Sequence, residues 1–153
     1  MTEQEIFRHL FSIADQSHDT DGVVTSCLVR ENEILADAVS AGTIHAEYAL
    51  LQKLKIQQIL LKDGDTVYVT VQPCSQRSSD KGKQLGDCTT NLIKAGIRRV
   101  IYAAAYSKSS LAHQRFQEAG FSLTQVKDEK IIDDAVQLFN STCEDPRDHL
   151  VRK

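Results

Sequence analysis

Three side chains that commonly bind metal ions stand at the boundaries of predicted secondary-structure elements. His45 opens a long predicted helix, Cys74 ends a predicted strand, and Cys88 opens the following helix. The amino-terminal end of a helix favours negative charge, so a thiol placed there ionises more readily and binds zinc better. One imidazole and two thiolates leave a fourth tetrahedral position open for water, which is the pattern of a catalytic zinc site.

Glu47 lies two residues after His45, in the first turn of the same predicted helix. From this position a carboxylate can reach a zinc-bound water without binding the metal, take a proton from it and return a proton to a leaving amine. Acidic residues are also favoured in the first turn of any helix, so an ordinary helix-end role for Glu47 stays open.

Simpler interpretations of the same residues exist. A histidine that opens a helix is commonly structural or exposed, and two cysteines separated by thirteen residues can both be buried core thiols, like Cys27 in its apolar strand. A cysteine-nucleophile enzyme that uses Cys74 or Cys88 with His45 is a further alternative, and the metal content separates it from a zinc protein.

The stretch between Cys74 and Cys88 is polar and carries three cations, Arg77, Lys81 and Lys83. Its simplest interpretation is a solvated loop. Because it joins two candidate zinc ligands, we also consider it as a lid whose cations bind a substrate phosphate.

Periodicity predicts ten elements in the order α-β-β-α-β-α-β-α-β-α. The turn between the first two strands falls at Glu31 and Asn32, and Gly96 and Gly120 each end a helix. Strands that alternate with helices in the second half predict a parallel or mixed sheet covered on both faces. We predict one domain over residues 1–140, followed by a polar tail over residues 141–153.

The composition excludes several classes of protein. The chain has 153 residues, of which 41% are hydrophobic and 25% charged, with a net charge of -3. This balance disfavours nonspecific electrostatic binding to nucleic acid or to an anionic membrane. No apolar run approaches a membrane span and no export signal is visible, so we expect a cytoplasmic protein with reduced thiols.

His-Ala-Glu at residues 45–47, followed by Pro73-Cys74 and by Cys88, resembles the signature of the zinc nucleobase deaminases. The chain is similar to the cytidine-deaminase-like superfamily from its first helix to its fifth strand, and closest to the riboflavin-pathway and deoxycytidylate-type deaminases. The resemblance implies an α/β fold, a three-layer α/β/α sandwich around a five-stranded mixed sheet. It also implies that His45, Cys74 and Cys88 hold Zn²⁺, that Glu47 moves protons, and that the protein is a homo-oligomer.

The spacing of the second cysteine and the segment before the first strand bear on the substrate. Arg77 stands where the superfamily usually has its second cysteine, and a long spacer after Pro-Cys-Ser resembles the riboflavin-pathway enzymes. Their Pro-Asn-Pro segment is replaced here by SHDTDGVV. We therefore predict a hydrolytic deaminase of a small nucleobase, nucleoside or nucleotide, and favour a riboflavin-pathway aminopyrimidine nucleotide.

Three other interpretations remain. Cytidine or deoxycytidylate is the alternative substrate, and a tRNA adenosine ranks below both because the chain is acidic. A non-catalytic binding module of the same fold, stabilised by zinc, is the alternative to an enzyme.

Overall fold

The computed structural model describes residues 1–77, 80–106 and 111–152, apart from the side chains of residues 80 and 81. The helices are α1 (Glu3–Ser12), α2 (Ala46–Ile56), α3 (Asp80–Leu85), α4 (Cys88–Ala95), α5 (Leu111–Glu118) and α6 (Glu129–Thr142). The strands are β1 (Thr25–Arg30), β2 (Glu33–Val39), β3 (Thr66–Val71), β4 (Arg99–Ala104) and β5 (Ser122–Gln125).

The five strands form one mixed sheet in the order β2-β1-β3-β4-β5. Strand β1 is antiparallel to both β2 and β3, whereas β3, β4 and β5 are parallel to one another. This arrangement confirms the predicted five-stranded mixed sheet.

Two layers of helices cover the sheet. Helices α1 and α6 pack on one face, where Phe7 and Phe139 are buried, and α2, α4 and α5 pack on the other, where Leu50 and Phe116 are buried. Burial of apolar side chains on both faces is the main favourable contribution to folding. The predicted three-layer α/β/α sandwich is therefore confirmed, and Cys27 lies in its core with no exposed surface.

Local sequence explains several of the turns. Glu31 and Asn32 both have positive φ, 50° and 66°, as a two-residue hairpin between right-twisted strands requires. Helix α4 ends at Gly96, whose φ of 88° is the left-handed conformation that favours glycine.

The carboxyl ends of the parallel strands β3 and β4 lie at one edge of the sheet. Thr25, the first residue of the antiparallel β1, and Ser40, which follows β2, lie at the same edge. Ligands of open α/β sheets bind outside the carboxyl ends of the strands. The segments that leave this edge therefore include those that carry the candidate site.

The structure adds detail to two segments, and one expectation needs correction. The stretch between Cys74 and Cys88 contains the short helix α3, which is too brief to show a periodic pattern in the sequence. Helix α6 continues to Thr142, and in the segment predicted as a polar tail the side chains of Cys143 and Leu150 are buried. None of the helices in the described residues is long and apolar enough to cross a membrane.

Candidate metal centre and active site

The three candidate metal ligands come from two helix starts and one strand end. His45 is the residue that caps the amino terminus of α2, and Cys88 is the first residue of α4. Cys74 lies three residues beyond the end of β3. The backbone N–H groups of Cys88 and Thr89 donate to Cys74, to its Sγ at 3.3 Å and to its carbonyl oxygen at 3.0 Å.

The ligand atoms have the separations of a small metal site. His45 Nδ1 lies 3.5 Å from Cys74 Sγ and 3.3 Å from Cys88 Sγ, and the three atoms all lie within 4.8 Å of one another. Zinc with bonds of about 2.0–2.3 Å to nitrogen and sulfur has tetrahedral edges of about 3.5–3.8 Å. The cluster therefore fits a zinc ion, with three protein ligands and one coordination position left for a small molecule.

The two thiols differ in their acidity. A hydrogen bond from Cys88, with help from the Cys88 N–H and from His45, lowers the pKa of the Cys74 thiol to about 5 despite its burial. The same pairing with Cys74, together with burial, raises the pKa of Cys88. A divalent cation between the two sulfurs would favour the thiolate form of both.

Glu47 is the buried carboxyl group beside this cluster. It is only 3% exposed, lies in the first turn of α2 and lines the same pocket as His45. Desolvation by burial raises the pKa of Glu47 to about 7, although the nearby His45 opposes the change. Unpaired buried carboxylates are rare, and those in clefts beside other ionisable groups are candidates for catalysis.

Two arginines hold the loops that carry the cysteines. Arg77 donates from its guanidinium to the carbonyl oxygens of Thr43, just before His45, and of Gly86, just before the α4 cap. Arg115 of α5 donates to Asp87, the residue that caps α4, at 3.1 Å, and to the carbonyl oxygen of Ser75 at 3.3 Å. Each arginine thus links two of the segments that lie next to the metal ligands.

A pocket of about 80 Å³ opens beside the cluster. His45 and Glu47 contribute to it together with residues that the sequence did not single out: Asp19, Asp21, Gly22, Val24, Ser40, Gly42, Val71, Gln72, Tyr106 and Phe139. They belong to five separate segments of the chain, so no local motif could have identified them. Burial raises the pKa of the Tyr106 hydroxyl.

A larger groove, about 630 Å³, lies on the outer side of α2 and α4 and includes Leu51, Leu60 and Lys94. It contains neither the metal ligands nor Glu47. We assign the chemistry to the smaller pocket because it contains His45 and Glu47, whereas the larger groove contains no candidate metal ligand or catalytic group.

The family model for the cytidine and deoxycytidylate deaminase zinc-binding region matches residues 1–104, which include His45, Glu47, Cys74 and Cys88. The chain belongs to this deaminase family. Zinc is accordingly the metal expected in the cluster.

A curated relative, ComE operon protein 2 of Bacillus subtilis (strain 168), is 37% identical over 105 residues, which are 67% of this chain and 49% of the relative. The chain thus matches about half the length of that protein.

Solved structures of deaminases have the same fold. The Aspergillus oryzae Rib2 deaminase in complex with DARIPP superposes with a TM-score of 0.66 and 19% identity over 95% of this chain and 94% of that one. A Thermotoga maritima diaminohydroxyphosphoribosylaminopyrimidine deaminase/reductase superposes with a TM-score of 0.65 and 19% identity, over 94% of this chain and 40% of that one. The dCMP deaminase of cyanophage S-TIM5 superposes with a TM-score of 0.55 and 18% identity, over 82% of this chain and 100% of that one.

The structure describes two of the three side chains proposed for phosphate binding. Arg77 is engaged by backbone carbonyl oxygens, and Lys83 is exposed on α3. The side chain of Lys81 lies outside the described part of the chain. A phosphate contact by any of the three stays a prediction, as does the homo-oligomer.

Proposed function

We propose that the chain is a zinc-dependent hydrolase that removes an exocyclic amino group from a small nucleobase, nucleoside or nucleotide. The observation that carries the proposal is the position of Glu47, a buried carboxyl group in the first turn of the helix that His45 caps and in the same pocket as His45. A purely structural zinc site usually has four protein ligands and does not need a buried carboxyl group beside it.

The side chains divide the work in this reaction. His45, Cys74 and Cys88 would hold the zinc ion, which when bound supplies an acidified water near neutral pH. Glu47 accepts a proton from the attacking water on its carboxylate and donates it to a ring nitrogen. It then accepts a second proton, from the hydroxyl group added to the ring carbon, and donates that proton to the amino group, which leaves as ammonia. The narrow pocket around Glu47 excludes bulk water and limits the reacting part of the substrate to a small ring.

For the identity of that ring we favour a riboflavin-pathway aminopyrimidine. The fold shared with the Rib2 and Thermotoga maritima deaminases, together with the long spacer after Cys74, supports this choice. The cytosine ring is the second candidate, supported by the family model and by the cyanophage dCMP deaminase, which has also been solved in complex with dCMP and dUMP. Ammonia release from the two substrates, measured in parallel, separates these candidates.

The decisive experiment compares Glu47→Gln with Glu129→Gln, an exposed acidic residue in the first turn of α6. We expect both variants to retain zinc and fold normally. Ammonia release should fall by about 10²–10⁴-fold in Glu47→Gln and stay unchanged in Glu129→Gln. A zinc-loaded Glu47→Gln variant that works at the full rate would overturn the mechanism. A wild-type chain that binds zinc but deaminates neither ring would favour the binding module.

A further inference from the structure

The entrance of the pocket beside Glu47 is acidic. Asp19, which is half-buried, and Asp21, which is exposed, both contribute to it. Aspartate side chains are negatively charged at neutral pH. Among the described residues that form the pocket there is no lysine or arginine, and the guanidinium of Arg77 is engaged by the carbonyl oxygens of Thr43 and Gly86.

Hydrogen bonds hold Asp19 in a defined turn. Its backbone N–H donates to Ser17 Oγ at 3.1 Å, and its carboxylate accepts the N–H of Asp21 at 2.9 Å. The Ser17 hydroxyl in turn donates to the carbonyl oxygen of Ser40, another residue of the pocket. The acidic segment is therefore joined to a second segment that lines the pocket.

Helix α6 and the residues after it fix the other end of the segment. Asp21 forms a β-bridge with Cys143, and the N–H of Glu144 donates to the carbonyl oxygen of Thr20 at 2.9 Å. Gly22 lies so close to the Phe139 ring that a Cβ atom there would stand 2.4 Å from it. The backbone that carries the two aspartates is thus anchored on both sides.

The size of the pocket places the rest of a substrate near these carboxylates. A volume of about 80 Å³ is far below the 300–1,000 Å³ or so of typical ligand pockets, so it holds little more than the reacting ring. A substituent on the ring would then extend toward the exposed residues of the pocket, of which Asp21 is one. Two carboxylates there accept hydrogen bonds from hydroxyl or amino groups and repel a phosphate.

We propose that this pocket selects a substrate without a phosphate, a free nucleobase or a nucleoside, and that Asp19 and Asp21 are the residues that discriminate against the corresponding nucleotide. This proposal rests on the deaminase function proposed above and narrows its substrate class. It replaces the nucleotide favoured from the sequence with the dephosphorylated form of the same ring.

The test uses the zinc-loaded wild-type chain and the double variant Asp19→Asn/Asp21→Asn. An amide oxygen in place of the Asp19 carboxylate can still accept the N–H of residue 21, so the turn is expected to survive. Ammonia release is measured from deoxycytidine and deoxycytidylate, and from diaminohydroxyphosphoribosylaminopyrimidine and its dephosphorylated form. Asp63→Asn is the matched control, because Asp63 is highly exposed and pairs with Arg98 at the opposite edge of the sheet.

We expect the wild type to prefer the dephosphorylated member of a pair by at least about tenfold in kcat/KM. The double variant should reduce that preference at least about tenfold, and 0.5 M NaCl should reduce it in the wild type by screening the charges. Asp63→Asn should leave the preference unchanged. A wild type that prefers the phosphorylated member, or a preference that the double variant does not alter, would overturn the proposal.

A binding measurement keeps this inference separate from the deaminase function. The melting temperature of each chain is measured with uridine and with uridine monophosphate at equal concentrations. We expect uridine to stabilise the wild type and uridine monophosphate to stabilise only the double variant. If the wild type gains as much stability from the monophosphate, the substrate class is wrong. If it gains none from either compound, uracil is not the product ring, and the same comparison is decided on the aminopyrimidine nucleoside and its phosphate. If uridine alone stabilises it but no ammonia is released from any substrate, the deaminase function fails while the charge selection stands.

Discussion

His45 Nδ1 lies 3.3 Å from Cys88 Sγ, although the two residues are 43 positions apart in the chain. The two residues stand at the starts of neighbouring helices, α2 and α4, which pack on the same face of the sheet. Helix packing therefore brings the ligand atoms together, so the cluster depends on the whole layer rather than on a local loop.

This relationship predicts the metal content of purified protein. We expect about one zinc per chain in the wild type. Cys88→Ala should lose it, because two ligands hold zinc much less tightly than three. Elemental analysis measures the stoichiometry, and Cys143→Ala is the control, since that thiol is buried elsewhere and contacts the carbonyl oxygen of Asp145. Zinc retained by Cys88→Ala would contradict the ligand assignment.

Arg77 gives a prediction that separates a structural from a substrate-binding role. Its guanidinium joins the carbonyl oxygens of Thr43 and Gly86, next to two of the ligand segments. Arg77→Ala should therefore weaken zinc binding by about 10–100-fold, as losses around a metal site commonly do. Arg77→Lys should not restore it, because a single ammonium lacks the planar fork that reaches both oxygens.

Competition with a chelator measures the zinc affinity of these variants, and Lys83→Ala, an exposed change on α3, should leave it unchanged. If Arg77→Ala keeps its zinc affinity and instead raises KM only for phosphorylated substrates, Arg77 is a phosphate ligand. That result would support the lid interpretation of the sequence.

The ion pair between Arg30 and Asp65 gives a stability prediction with a defined pH dependence. The Asp65 carboxylate is buried and accepts three hydrogen bonds at 2.8 Å, two from Arg30 and one from the N–H of Lys62. The Arg30 guanidinium lowers the pKa of Asp65. Asp65→Asn should reduce the free energy of unfolding by about 2–3 kcal/mol at pH 7.

Since the pKa of Asp65 is lower in the folded chain, this stabilisation is present above the unfolded value of about 3.9 and is lost as the pH falls through the folded value. The difference between wild type and Asp65→Asn in urea unfolding should thus shrink steadily below about pH 4. Asp63→Asn is the exposed control and should have little effect. A difference that persists unchanged at low pH would mean that the charge of Asp65 is not responsible.

Gly22 permits a test of close packing at the pocket wall. Its φ is 100° and a Cβ atom there would stand 2.4 Å from the Phe139 ring, whereas Gly64 has a similar φ of 90° and open space around it. Both glycine-to-alanine changes carry a backbone cost of about 1 kcal/mol or more, and only Gly22→Ala must also displace the ring. Thermal unfolding should show the larger loss for Gly22→Ala. Equal losses would indicate that the ring moves aside freely.

Much of the fold and part of the site were predictable because local chemistry determines them. The Glu31-Asn32 turn, the Gly96 helix end and the positions of His45 and Cys88 at helix starts all follow from neighbouring residues. Asp19 and Asp21 were not predictable as pocket residues. They look like ordinary turn formers, and only the bridge from Asp21 to Cys143, 122 residues later, brings their segment to the pocket.

The contact between Gly22 and Phe139 also bears on how such enzymes diversify. Residues 1–104 match the shared zinc-binding region, yet Phe139 lies beyond it and still forms part of the pocket wall. The reactive groups and this part of the pocket wall thus come from separate stretches of the chain. Exchanging the terminal helix between relatives would be expected to alter which molecules enter, while the metal ligands and Glu47 stay untouched. Libraries aimed at new substrates should therefore randomise α6 together with the segment before β1, since each constrains the other.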